Sequence, residues 1–213
     1  MNLRALGILG GTFDPVHLGH IQSARELCER LEFDQLALLP CHLPPHRGEP
    51  QTPAAHRLAM ARIAVAPFPR LTVDDRELAR SGQSYTVDTL RELRAELGAE
   101  ASLTFVMGSD ACNALHRWHR WRELFDFANI LVMMRAGYTL EPAPEVRDWV
   151  APRQGAPESL KERPAGGFAA VALTPWPQSA TAVRQRLAAG ESLGDCVPAE
   201  VETYIHQQGL YRP

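Results

Sequence analysis

The chain has 213 residues, 45% of them hydrophobic and 22% charged, enough for one sizeable α/β domain and short of two comfortable ones. Its net charge is −3, from 22 basic and 25 acidic residues, which argues against a nucleic-acid polyanion as partner. Four cysteines, Cys28, Cys41, Cys112 and Cys196, include no C-x-x-C pair, so neither a disulfide framework nor a zinc site is expected. Free thiols, no signal-peptide pattern and no apolar run of membrane-spanning length give the expectation of a soluble cytoplasmic protein.

Residues 5–9, Ala-Leu-Gly-Ile-Leu, are an apolar run that reads as a buried strand, and Ile21, Ala24, Leu27, Cys28 and Leu31 then recur at helical spacing. A second strand is expected over 36–40. A helix follows over 54–66, with Leu58, Ala59 and Ile63 on one face, then a short strand over 71–73. The spacing predicts a helix over 86–97 with Val87, Leu90, Leu93 and Leu97 inward, Ser84 near its cap and Gly98 as its stop. A central strand over 103–107, a helix over 115–125 and a buried strand over 130–134 come next. A last strand over 169–173 and two helices, 181–189 and 198–208, complete the chain. Strands alternating with helices predict a doubly wound parallel sheet flanked by helices, with right-handed crossovers. The whole of 1–213 reads as one domain. Residues 137–168, with Pro142, Pro144, Pro152, Pro157 and Pro164, read as a mobile surface excursion holding one short helix near 146–150.

The stretch Gly10-Gly11-Thr12-Phe13-Asp14-Pro15-Val16-His17-Leu18-Gly19-His20 joins the first strand to the first helix. A crossing loop at the carboxyl edge of a parallel sheet is where α/β proteins bind ligands. Gly10 and Gly11 let a nucleotide approach backbone amides, and the amides and dipole at a helix start suit a phosphate. His17 and His20, three apart, aim two imidazoles at one point, with no Cβ at Gly19 in the way. There is no Gly-Lys-Ser/Thr of a Walker loop.

Further groups carry the same kind of chemistry. Ser179, Thr181 and Arg184 open the penultimate helix as a phosphate clamp of hydroxyls, helix dipole and guanidinium. Pro44-Pro45-His46-Arg47 presents two basic side chains on a stiffened turn. Ser84-Tyr85-Thr86 leads into the 86–97 helix, with Thr86 at its start. Asp110 follows the central strand, either capping the next helix or meeting a ribose or a metal-bound water. Trp118 and Trp121, three apart, share one face of the expected 115–125 helix.

The His17-Leu18-Gly19-His20 segment resembles the HxGH nucleotidyltransferase signature, and Gly10–Pro15 resembles more narrowly the nicotinate-nucleotide adenylyltransferase family. The resemblance covers essentially the whole chain and is weakest over 137–168. It implies a Rossmann-like fold of the HxGH nucleotidyltransferase type. It implies an adenylyltransferase in NAD biosynthesis that joins ATP and nicotinate mononucleotide. His17, His20 and Arg184 would be catalytic. Gly10, Gly11, Thr12, Phe13, Asp110, Ser179 and Thr181 would join them in holding ATP. His46, Arg47, Thr86, Trp118 and Arg135 would face the mononucleotide, Trp118 stacking on its ring while Trp121 packs. Where the family carries Ile-Ser-Ser-Thr-x-x-Arg, this chain has Gln178 and Ala180 for the isoleucine and second serine, one hydroxyl fewer. Mg²⁺ would arrive with ATP, and no dedicated metal cage is expected. Nicotinamide mononucleotide, phosphopantetheine as acceptor, and a non-catalytic nucleotide-binding role are the competing readings.

Overall fold

The computed structural model describes residues 3–42, 50–80, 82–134 and 139–211. Six parallel strands form one sheet in the order β3-β2-β1-β4-β5-β6: β1 Ala5–Gly11, β2 Gln35–Pro40, β3 Leu71–Val73, β4 Ser102–Gly108, β5 Asn129–Met134 and β6 Phe168–Ala172. Successive crossovers run outward from β1 toward β3, then from β4 toward β6, so the direction reverses between β1 and β4. That reversal opens a crevice at the carboxyl ends of the two central strands.

The strands are nearly continuous apolar runs because both faces are covered. On one face Ala5 and Leu9 pack with helix α1 (Leu18–Arg30), helix α2 (Ala54–Val65), and the two C-terminal helices α8 (Ala180–Ala188) and α9 (Ala199–Gln208). On the other, Leu6 and Ile8 meet Val87, Leu90 and Leu93 of α4 (Thr86–Leu97) and Val146 and Val150 of α7 (Pro144–Val150). Between these lie α3 (Arg76–Ala79), α5 (Ser109–Asn113) and α6 (Leu124–Phe127). Helix α4 has the expected bounds, and Gly98 ends it in the left-handed region at φ 75°.

Three expectations are corrected. The 115–125 segment is not one helix but two 3₁₀ turns, Leu115–Arg117 and Trp121–Glu123, before α6. Trp118 is extended between them and Arg120 is left-handed at φ 52°. Trp118 and Trp121 therefore do not share a helix face. Helix α2 buries Arg57, Met60, Ala61, Ala64 and Val65, leaving Leu58, Ala59 and Ile63 half-buried.

Within 137–168, the described part holds more regular structure than the one short helix expected near 146–150. It holds α7 and the 3₁₀ turns Ala151–Arg153 and Pro157–Glu162. Buried Asn129 on β5 donates to the carbonyls of Leu160 and Arg163 and accepts from the Gly167 amide. Arg94 donates to the carbonyls of Ala101, Phe127 and Pro164. Side chains thus satisfy backbone that no ladder satisfies.

Candidate active site

Strand β1 ends at Gly11, and its register with β2 ends at the pair Gly11 and Pro40. The chain then folds back sharply. Phe13 adopts φ 48°, and the Asp14–Pro15 peptide is cis. A Cβ on Gly11 would lie 2.8 Å from the Phe13 ring, and one on Gly10 would lie 3.0 Å from the Phe105 ring of β4. Both glycines are therefore required by packing within the loop and against β4.

His17 is the N-cap of α1, and His20 stands in its first turn. Their rings stack with centroids 3.6 Å apart, 25° from parallel. The His17 amide donates to His20 Nδ1 at 3.2 Å. A Cβ on Gly19 would lie 3.0 Å from His17 Nδ1, so the missing side chain is what admits the ring. Phe13 meets the other side of His20 edge-on, at 4.9 Å between centroids. The histidine pair is thus held from within the loop.

The clamp comes from the far end of the chain. Ser179 is the N-cap of α8, its oxygen accepting from the Ala182 amide at 3.2 Å. Arg184 Nη1 donates to the Asp14 carbonyl at 2.7 Å, and its Nη2 reaches Thr181 Oγ1 at 3.4 Å. Ser179, Thr181 and Arg184 are thereby brought to the loop that carries His17 and His20.

The remaining candidates sit at the same sheet edge. Asp110 is in the first turn of α5, directly after β4, and the cap of that helix is Gly108, so the capping alternative for Asp110 falls away. Thr86 is the first residue of α4, beside the end of β2, where Ser84 Oγ accepts from the His42 amide at 3.1 Å. Trp118 is half-buried and meets Phe105 edge-on, while Trp121 is buried against Trp149. The ring of Tyr85 lies 4.5 Å from that of His119, joining the Trp118 turn to the start of α4. Cys41 Sγ lies 3.8 Å from Thr12 Oγ1. His46, Arg47 and Arg135 lie outside the described residues, and the placement at this sheet edge is that of the other candidates alone.

Several residues that shape this site carry no local sequence signal. Arg57 is 1% exposed and donates to the carbonyls of Thr12 and Thr52. Asp14 is buried and accepts from the Gln51 amide and the Tyr211 hydroxyl. Trp176 is 39% exposed, and its Cβ would lie 3.4 Å from a Cβ on Gly19.

A glycine-tight crossing loop, a histidine pair at a helix start and an arginine brought onto the same loop define a nucleotidyltransferase-type site. The cytidylyltransferase-like family profile matches residues 8–186. A protein of Cellvibrio japonicus, named a probable nicotinate-nucleotide adenylyltransferase, is 46% identical over 97% of this chain and 98% of its own length. One of Pseudomonas entomophila with the same name is 49% identical over 99% of this chain and 96% of its own. The chain belongs to the nicotinate-nucleotide adenylyltransferase family. Among solved structures, the Plasmodium falciparum nicotinic acid mononucleotide adenylyltransferase complexed with NaAD superposes with a TM-score of 0.74. It covers 98% of this chain and 97% of the other at 17% identity, a likeness of fold. The same enzyme complexed with APC gives 0.71 at 16% identity, covering 98% of this chain and 97% of the other.

Proposed function

We propose that the protein joins ATP and nicotinate mononucleotide to give nicotinate adenine dinucleotide and pyrophosphate. The observation that carries this reading is the stacked His17–His20 pair, with Arg184 bonded to the carbonyl of Asp14 on the same loop. A mononucleotide phosphate is largely a dianion at neutral pH, its second pKa being about 6. It needs no strong base. Its oxygen attacks the α-phosphorus of ATP, the bond to the bridging oxygen breaks, and pyrophosphate leaves. No covalent enzyme intermediate forms.

The work left to the protein is alignment and charge stabilisation. His20 Nδ1 already accepts from the His17 amide, so a neutral ring carries its proton on Nε2. That N–H is a donor for the α-phosphate as negative charge grows. His17 donates beside it, with Thr12 and the amides of Gly10 and Gly11. Arg184, Thr181 and Ser179 hold the β- and γ-phosphates, the leaving group. Asp110 and Phe13 complete the ATP side.

Thr86 faces the ring carboxylate of the acceptor, where the positive start of α4 favours an anion. Trp118 stacks on the pyridine ring, and His46, Arg47 and Arg135, outside the described residues, would be further contacts to the mononucleotide. Among the described residues no group of three His, Cys, Asp or Glu could hold a metal ion. Mg²⁺ would come with ATP, held by the nucleotide and water, and would offset phosphate charge. Among the described residues no helix is long and apolar enough to cross a membrane.

The test is ATP–pyrophosphate exchange in the presence and absence of the acceptor. Pyrophosphate release that requires nicotinate mononucleotide, with formation of the dinucleotide, supports the reading. ATP binding without any acceptor-dependent turnover would reduce the site to a binding module.

A further inference from the structure

Helix α9 ends on a common glycine stop followed by a residue in a rare conformation. Gly209 takes φ 63°, the Leu210 amide returns to the Ile205 carbonyl at 3.1 Å, and Tyr211 is itself left-handed at φ 60°. A residue with a Cβ rarely adopts that conformation. The turn sends the Tyr211 ring back into the molecule, where its hydroxyl donates to Asp14 Oδ1 at 2.6 Å, across 197 positions of sequence. Burial, followed by the bond to Asp14, holds the phenol well above its ordinary pKa, so it stays a donor.

Asp14 is 4% exposed, and both its carboxylate oxygens and its main-chain carbonyl accept hydrogen bonds. Oδ2 accepts from the Gln51 amide at 2.8 Å, Oδ1 from Tyr211, and the main-chain carbonyl from Arg184 at 2.7 Å. A buried carboxylate is an acceptor that must be satisfied, and losing one donor leaves it to reorient. Asp14 lies between Phe13, which packs on His20, and His17 itself. Rotation of this one residue would move both the entry to the histidine pair and the point to which the Arg184 guanidinium is bonded.

We propose that Tyr211 is a positioning residue for adenylyl transfer, its hydroxyl fixing Asp14 and through it the His17 approach and the Arg184 guanidinium. The inference rests on the reading of His17, His20 and Arg184 as the transfer machinery. Displacements of about 1 Å in such machinery cost on the order of a hundred-fold in rate. Losing one of several supports for Asp14 should displace it by less.

The same helix supplies a control. Tyr204 on α9 bonds through its hydroxyl to His56 Nδ1 of α2 at 2.8 Å, joining the two helices. Tyr211→Phe is expected to lower kcat about ten-fold while KM for ATP and for nicotinate mononucleotide stays within about two-fold. Tyr204→Phe should lose similar thermal stability and keep kcat within about two-fold. If Tyr211→Phe does not fold, Asp14→Ala, which removes the side-chain acceptor, tests the bond from the other side and should show the same kcat-only loss. Unchanged kcat in the folded variant, or parallel losses in the Tyr211 and Tyr204 variants, overturns the proposal. An unsubstituted protein with no acceptor-dependent pyrophosphate release overturns the transfer reading itself, and this inference with it.

Discussion

His17 and His20 are a coupled pair: their rings stack at 3.6 Å, and the amide of one donates to Nδ1 of the other at 3.2 Å. The bond fixes which nitrogen of His20 carries the proton, and the stack fixes where the two rings sit relative to the start of α1. Removing one preorganised donor to a transition-state oxyanion costs about 3 kcal/mol. His20→Ala is therefore expected to lower kcat by roughly a hundred-fold or more, with little change in KM. Steady-state kinetics check this, and a loss below ten-fold would remove His20 from the assigned role.

Gly19 separates activity from stability. Alanine is favoured over glycine in a helix by about 1 kcal/mol, but here its Cβ would lie 3.0 Å from His17 Nδ1. Gly19→Ala should leave the melting temperature unchanged or raised while kcat falls several-fold. A thermal melt beside a kcat measurement on the same sample tests it. Full activity in the variant would show that the ring position of His17 is not critical.

Arg184, held by its bond to the Asp14 carbonyl, is assigned to the β- and γ-phosphates, a charge-assisted contact that alanine cannot make. Loss of a charge-assisted hydrogen bond costs about 2 kcal/mol, roughly thirty-fold in kcat/KM. Arg184→Ala should weaken ATP binding and turnover together. Unaltered KM for ATP and unaltered kcat would place Arg184 outside the site.

Glu77, in α3, is 3% exposed and accepts from Thr89 Oγ1, which in turn accepts from Arg80. Burial raises its pKa above the ordinary 4.5, outweighing the Thr89 and Ser84 hydrogen bonds and Arg80. A raised carboxyl contributes stability that is complete below the unfolded pKa and is lost as pH rises through the folded one. The unsubstituted protein should therefore lose stability relative to Glu77→Gln as pH climbs from about 4.5 toward neutrality. Denaturant melts of both across that range test the sign. Parallel pH profiles would contradict it.

The buried thiols should be inert. Burial pushes Cys28 up to about 11 and Cys112 up to about 12, which keeps both protonated at neutral pH. Cys41 and Cys196 are half-buried. Thiol titration of the native protein is expected to label the latter two first, with ATP slowing the reaction at Cys41 because of its contact with Thr12. Early labelling of Cys28 would show that the α1 face opens.

Much of the fold was readable because parallel strands covered on both faces leave continuous apolar runs, and glycines mark helix ends. Gly98 and Gly209 do so with positive φ. The histidine pair, the glycines and Arg184 were readable because their chemistry is local to short motifs. What escaped were bonds between distant positions. Tyr211 to Asp14 and Arg57 to Thr12 leave no periodic trace. The break at Trp118 was hidden because apolar spacing cannot report that Arg120 turns left-handed. The order in 139–168 depends on Asn129 and Arg94, which lie outside that segment.

The most direct measurement is pyrophosphate release with ATP and Mg²⁺, comparing nicotinate mononucleotide with nicotinamide mononucleotide. Buried groups matched to the carboxylate are left unpaired by the amide. The expected result is a preference for the acid of about a hundred-fold or more in kcat/KM, about 2.7 kcal/mol. Comparable rates would contradict the acid-reading pocket, and no release with either would reject the pyridine mononucleotides as acceptors.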